Sequence, residues 1–344
     1  MSYYEKEQRH LLELWNELEE EVVGGSDDEE DVQEDFGETS NHESEFELSE
    51  DEELSEQNIK SGLCFIGKDK NTLWSKFILR ALRFDNVNDR EFRKQFDKLA
   101  PIREIFDDFV YRCKTNYNVS ELVTIDEMLE SFRGRCAFRQ YIPNKPAKYG
   151  LKILAMVDAR SFYTHNLEVY VGNRPDGPFK VDNSAAVVVK RLIQPISGTG
   201  RNVTCDNWFT SIPLALELLQ KHNLTLVGTL RKNKREIPEF FSAKIKERRI
   251  NTSMFGFTKD MTLVSYKPKQ NKIVLLLSTM HYADEIDQET GDACKPAMIT
   301  FYNSTKGGVD ELKGNYSVSR KSSRWPLTIF FSMLNIAGIN SQII

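Results

Sequence analysis

Apolar positions recur at helical spacing in the first third of the chain and at strand spacing beyond residue 120. Residues 3–23 set Leu11, Leu14, Trp15, Leu18 and Val22 on one stripe, which predicts a short amphipathic helix with a glutamate-rich outer face. Residues 24–58 are Glu, Asp, Ser and Gly with few large apolar side chains, a composition that stays disordered. Residues 74–117 predict helices through three stripes: Phe77, Ile78, Ala81 and Leu82; then Phe92, Phe96 and Leu99; then, after Pro101, Ile105, Phe106, Phe109 and Val110. Runs rich in Ile, Val, Leu and Tyr at 122–125, 151–157 and 167–171 predict three successive strands. A helix at 185–193, a strand at 202–205, a helix at 212–222 and a strand at 224–230 follow. The expected class is α/β, a mixed sheet flanked by helices. Residues 253–302 break the alternation with β-like stretches at 261–266, 273–278 and 298–302, and read as an inserted β-rich region. A helix is expected to begin near Gly308 and another to run from Pro326 onward.

Charge sharpens this division. Residues 1–59 hold 23 Asp or Glu against only Lys6 and Arg9, whereas residues 60–344 hold 44 Lys or Arg against 29 acids. The formal net charge of -6 therefore conceals an acidic arm and a basic body. A basic body suits a polyanion partner. The five cysteines form no CxxC pair and the five histidines are scattered, so a zinc site is not expected and a reducing compartment is. No signal peptide opens the chain and its apolar runs are too short for a bilayer, which points to a soluble intracellular protein with no membrane partner.

Three aspartates stand at element edges. Asp126 follows the first predicted strand, Asp206 ends the fourth, and Asp310 lies just beyond Gly307 and Gly308. Each has a local explanation. Thr124 and Glu127 around Asp126 fit a helix capping box, Asp206 suits a turn, and Asp310 suits the first turn of a helix. Taken together, in a sheet of ribonuclease H-like order, they are hard oxygen ligands for Mg²⁺ or Mn²⁺ at a phosphodiester-cutting centre. No P-loop, G-x-S-x-G or H-E-x-x-H motif offers competing chemistry, and nothing suggests a small-molecule substrate.

The blocks TIDEMLESFRGRCAFRQYIPNKPAKYGLKIL, VTCDNWFTSIPLA, VGTLRKNKREIP, SMFGFTKDMTLVSYKPK, YNSTKGGVDEL and SRKSSRWPLTIFFSMLNIAGINSQII carry a close resemblance to the piggyBac transposase family, over roughly residues 74–344. The resemblance implies a ribonuclease H-like fold with a β-rich insertion before the last catalytic helix. It also implies Asp126, Asp206 and Asp310 as metal-binding catalytic aspartates. The implied chemistry is Mg²⁺- or Mn²⁺-dependent cut-and-paste DNA transposition through hairpins at TTAA targets. Duplex DNA is the implied partner, a homodimer is compatible with it, and the nucleus is the implied location. The corresponding division is an acidic arm at 1–59, a helical remnant of a DNA-binding and dimerisation region at 60–118, core at 119–252, insertion at 253–303 and C-terminal core helices at 304–344.

Departures from the family pattern point to impaired transposition. Residues 311–315 shorten the stretch after the GGVD block, and Lys313 lies near the place of an additional family aspartate, where a cation opposes Mg²⁺. The helical segment upstream of Phe77 is abbreviated, and the family's cysteine-rich C-terminal module does not follow residue 344. A domesticated, non-catalytic DNA- or chromatin-binding protein is the alternative. Three basic clusters are candidate phosphate contacts: Arg133, Arg135, Arg139, Lys145 and Lys148; Arg231, Lys232, Lys234 and Arg235; Arg320, Lys321 and Arg324. Phe132, Phe138, Tyr141 and Tyr149 interleave with the first, either to stack on bases or to fill the core. The run at 231–235 also has the composition of a nuclear localisation signal.

Overall fold

The computed structural model describes residues 82–143, 145, 147–173, 176–242, 248–307 and 317–344, with the backbone at 64–66 and 73–75. The chain divides into two units, 1–77 and 78–344. In the first, β1 (Cys64–Ile66) and β2 (Leu73–Ser75) pair antiparallel, with Phe65 opposite Trp74. The second runs through α1 (Val87–Lys94), α2 (Arg103–Thr115), β3 (Leu122–Ser131), β4 (Gln140–Tyr141), β5 (Tyr149–Asp158) and β6 (Thr164–Val169). It continues with α3 (Ala185–Leu192), β7 (Asn202–Cys205), α4 (Ile212–His222), β8 (Thr225–Thr229), α5 (Glu239–Ser242), β9 (Thr252–Phe257), β10 (Thr262–Lys269), β11 (Lys272–Ser278), α6 (Ala297–Lys306) and α7 (Trp325–Ile343).

The near-continuous apolar run of β5 explains the layering. Successive strand residues point to opposite faces. Leu154 and Met156 pack with Val123, Ile125, Val189 and Leu218 beneath α3 and α4. Leu151, Ile153, Ala155 and Val157 pack with Phe106, Val110, Ile329 and Met333 beneath α2 and α7. One strand thus serves two core layers, as buried central strands do. Each of these Leu, Ile, Met, Val and Phe side chains contributes about 1.5–3 kcal/mol when fully buried.

Strand β3 lies between β5, antiparallel to it, and β7, parallel to it; β7 pairs parallel with β8, and β6 flanks β5. The order β6-β5-β3-β7-β8 is the ribonuclease H-like order. The β-rich insertion extends the same sheet. β11 pairs antiparallel with β8 through Leu277 and Gly228, then β10 and β9 follow; with the short β4 also paired to β5, the sheet has nine strands among the described residues. Met298 and Ile299 of α6 cover this extension against Val227, Val264, Tyr266 and Leu276.

Several local expectations change. The segment 298–302 is helical, not β. Its β-branched and aromatic residues yield to tertiary packing, with Pro296 as N-cap and Met298, Ile299 and Thr305 buried toward the sheet. The capping-box reading of residues 124–127 also fails, because β3 continues through them to Ser131 with full pairing to β5. Helix is interrupted within 74–117: residues 73–75 are strand, and Phe96 and Leu99 lie in turns between α1 and α2. Phe77, Ile78 and Ala81, the arm at 1–59 with its expected helix, and the helix expected near Gly308 lie outside the described residues.

Candidate metal centre

The last paired residues of the parallel β3–β7 ladder are Ile125 and Cys205. β7 ends there, while β3 runs on for six more residues. Beyond that point, among the described residues, β3 has no paired strand on its β7 side. Successive side chains that start toward opposite faces can both lean into the gap. Asp126, Glu127 and Asp206 do so: one carboxylate oxygen from each lies within 4.8 Å of the others.

Asp206 is held by the turn that follows β7. Its Oδ1 accepts from the backbone N–H groups of Trp208 (3.0 Å) and Phe209 (3.3 Å), and its carbonyl accepts from the Thr210 hydroxyl at 2.7 Å. The turn expectation for Asp206 is met locally, and the same turn aims the carboxylate at β3. Ser211 then caps α4 by accepting from the Leu214 N–H. The turn packs so tightly on β8 that only glycine fits at 228. An added Cβ there would stand 2.2 Å from Thr210 Oγ1 and 2.8 Å from the Cys205 carbonyl.

Asp126 accepts one hydrogen bond, from the Glu127 N–H at 2.7 Å. Among the described residues no ion pair reaches Asp126 or Asp206. Burial, then the nearby charges of Glu127 and Asp206, push Asp126 up to about 8. Burial and Glu127 push Asp206 up to about 6, against the two backbone donors that favour its ionised form. Glu127 meets the ammonium of Lys152 at 3.6 Å, and the same ammonium sits 4.4 Å from the centroid of the Trp208 ring. Tyr302 of α6 bonds Thr229 at the end of β8, and burial pushes its phenol well above the usual range.

Two buried aspartates crowded against a third carboxylate, with no ion pair of their own among the described residues and only the more distant charges of Lys145 and Lys152 to offset them, fit a divalent cation of the Mg²⁺ or Mn²⁺ kind. Asp126 and Asp206 come together as expected. Glu127, Lys152, Trp208 and Tyr302 were not anticipated. Glu127 in sequence fits a capping box, and Lys152 meets it only through the β3–β5 register, which sets Lys152 opposite Leu129. Asp310 and Lys313 lie outside the described residues.

The basic clusters separate by environment. Arg133, Arg135, Arg139 and Lys148 are exposed and Lys145 is half-buried; Arg139 donates to the carbonyls of Arg133 and Gly134 and lies over the Tyr149 ring. Arg320 and Lys321 are exposed, whereas Arg324 is half-buried and donates to the Leu82 carbonyl at 2.7 Å. These two clusters adjoin, since a Cβ on Gly134 would stand 2.5 Å from the Ser323 carbonyl. Arg231 and Arg235 are exposed and Lys232 and Lys234 half-buried just past β8, at the same end of the parallel β7–β8 pair where Asp206 leaves β7. Of the aromatics, Phe132 and Phe138 are buried, Phe138 edge-on to Trp325 at 5.0 Å. Tyr141 and Tyr149 are exposed and in contact at 4.7 Å. No described helix is long and apolar enough to cross a membrane.

A family model described as Transposase IS4 matches residues 76–342. The chain is also similar to the piggyBac transposase in a cryo-EM structure of its synaptic complex with hairpin DNA, at TM-score 0.72 and 47% identity, over 78% of this chain and 56% of that one. The chain belongs to the IS4/piggyBac transposase family. Human PiggyBac transposable element-derived protein 3 is 22% identical over 269 residues, covering 72% of this chain and 45% of that protein. The human Chimeric ERCC6-PGBD3 protein matches at the same identity over 25% of its length. The chain thus spans less than half of the first of these curated relatives and just over half of the solved transposase.

Proposed function

We propose that this transposase-family chain cuts and joins DNA phosphodiester bonds at a divalent-metal centre held by Asp126, Asp206 and Asp310. The observation that carries the reading is the convergence of Asp126 and Asp206 within 4.8 Å at the end of the β3–β7 pairing. Asp310 is included because α6 is anchored at Thr305, on the two strands that carry the other aspartates, five residues before it. Bound Mg²⁺ or Mn²⁺ ions supply charge stabilisation for the attacking and leaving oxygens of an in-line displacement. The protein's part is to bind and orient. The Trp208 and Phe209 N–H groups fix Asp206, Gly228 allows its turn to seat, and the clusters at 133–148, 231–235 and 320–321 receive backbone phosphates. Duplex DNA as substrate brings with it a nuclear site of action.

Complete transposition is impaired in this chain, a view supported by the shortened stretch at 311–315 and its Lys313. A Mg²⁺- or Mn²⁺-dependent nicking assay on duplex DNA tests the reading. Wild type nicks and Asp206→Asn does not. Equal behaviour of the two, with retained salt-sensitive DNA affinity, replaces it with a non-catalytic binder. Hairpin formation and strand transfer as efficient as nicking refute the impairment.

A further inference from the structure

Lys152 is the charged group that touches both halves of the site. On β5 it stands opposite Leu129 of β3, two residues from Glu127 on the same face of that strand. Its ammonium meets Glu127 Oε2 at 3.6 Å, lies 4.4 Å from the Trp208 ring centroid and 5.8 Å from that of Tyr170. The Lys152 and Glu127 side chains are only 13% and 15% exposed, so neither swings freely. Trp208 in turn fixes Asp206 through its backbone N–H. One ammonium therefore bears on Glu127 directly and on the Asp206 turn through an indole face, where a cation is attracted by the ring. The 3.6 Å contact exceeds a tight charge-assisted hydrogen bond, so the carboxylate is restrained without being saturated.

We propose that Lys152 is a positioning residue of the metal centre: it restrains Glu127 as a neighbour of the cation instead of a ligand, leaving the ion to the aspartates. This rests on the metal-binding reading above. The Glu127 carboxylate entering the coordination shell would strengthen binding and displace the ion from the position that the aspartates define. Lys152 opposes both, by its own positive charge and by its hold on Glu127.

The test is Mn²⁺ titration of the full chain by calorimetry, with thermal melts on each variant. Lys152→Met is expected to bind Mn²⁺ about tenfold more tightly than wild type, because a positive charge near the ion is lost and Glu127 is released. It is expected to nick DNA more slowly at saturating Mn²⁺. Lys152→Arg keeps wild-type affinity, and the tightening shrinks when Lys152→Met is placed on a Glu127→Gln background. A role confined to packing lowers Tm without tightening metal binding. Unchanged or weaker binding by a cooperatively melting Lys152→Met overturns the proposal, as does full tightening without Glu127. Should that variant not melt cooperatively, Lys152→Gln is read by the same criteria. Wild type that binds no Mn²⁺ in an Asp206-dependent manner overturns the metal reading itself; Asp206-dependent binding with no Lys152 effect overturns only this inference.

Discussion

Thr124 of β3 and Thr204 of β7, directly opposite each other in the parallel ladder, both bond to Thr305 of α6. The Thr124 hydroxyl donates to the Thr305 carbonyl, and the Thr204 and Thr305 hydroxyls share a bond of 2.8 Å. All three are buried, so each hydroxyl needs its partner. Thr305→Val keeps the shape but leaves the buried Thr204 hydroxyl with only the long 3.4 Å contact from the Asn202 amide, which costs about 1–3 kcal/mol. A lower urea midpoint with unchanged m-value is the expected result. Thr305→Ser, which keeps the hydroxyl, is expected to recover most of the loss.

Gly228 and the Asp206 turn form a second dependency. Gly228→Ala forces its methyl into Thr210 Oγ1 and the Cys205 carbonyl, and the backbone atom cannot move aside as a flexible side chain would. Overpacking of this kind costs about 1–3 kcal/mol. The more telling outcome is functional. Since the displaced segment carries the N–H groups that hold Asp206, Mn²⁺ affinity is expected to fall along with Tm. Lowered Tm with wild-type Mn²⁺ affinity would show that the turn does not orient the carboxylate.

Metal binding itself is readable as stability. A ligand that binds only the folded state stabilises it by about 2.7 kcal/mol at a hundredfold excess over Kd. Wild type is expected to melt several degrees higher in Mn²⁺ than in a chelator, and Asp126→Asn or Asp206→Asn to lose that difference. In the metal-free protein the same substitutions are expected to raise Tm at neutral pH, because they relieve carboxylates that burial holds above their ordinary range.

Periodicity carried most of the architecture. The strand at 202–205 and the helix at 212–222 stand where the apolar pattern put them, since both pair or pack within a local alternation. The failures came where distant contacts decide. Residues 298–302 have strand-like composition, yet Met298 and Ile299 gain more by packing as a helix on β8, β10 and β11. Asp206 is legible because it stands where an apolar strand meets polar chain, and Asp126 because it interrupts an apolar run that β3 continues past it. Glu127 and Lys152 are not, for their meeting depends on a two-residue offset in the β3–β5 register that no local pattern encodes.

His165 on β6 sets an acid limit. It is 4% exposed, its Nδ1 has no hydrogen-bond partner, and burial, with Lys114 and Arg201 nearby, pushes it down to about 4 despite the opposing Asp158. The unfolded chain takes up this proton near pH 6.5, before the folded one does. The folded state therefore loses stability as pH falls from about 6.5 to about 4, by roughly 3 kcal/mol in all. Asp126 and Asp206 act with the opposite sign, since their raised values favour the folded state at lower pH. Comparing wild type with His165→Gln isolates the histidine: the variant is expected to show a flatter decline of urea midpoint across that window.

Arginines close in sequence are expected to play different parts in DNA binding. Arg133, Arg135, Arg320 and Lys321 are exposed and stand on two adjoining segments, whereas Arg324 spends its guanidinium on the Leu82 carbonyl. Each phosphate contact adds about 0.9 to the slope of log K against log salt on duplex DNA. Replacing the four exposed cations by Gln is expected to flatten that slope by up to about 3.6 while leaving Tm within a degree or two. Arg324→Gln is expected to do the reverse. It lowers Tm by breaking a charge-assisted bond worth about 1.5–3 kcal/mol and shifts the slope by less than one contact. Fluorescence anisotropy across a salt series, with melts on the same samples, separates the two. A slope that ignores the four substitutions would move the phosphate path to the cluster at 231–235, whose exit from β8 lies at the same end of the β7–β8 pair as Asp206.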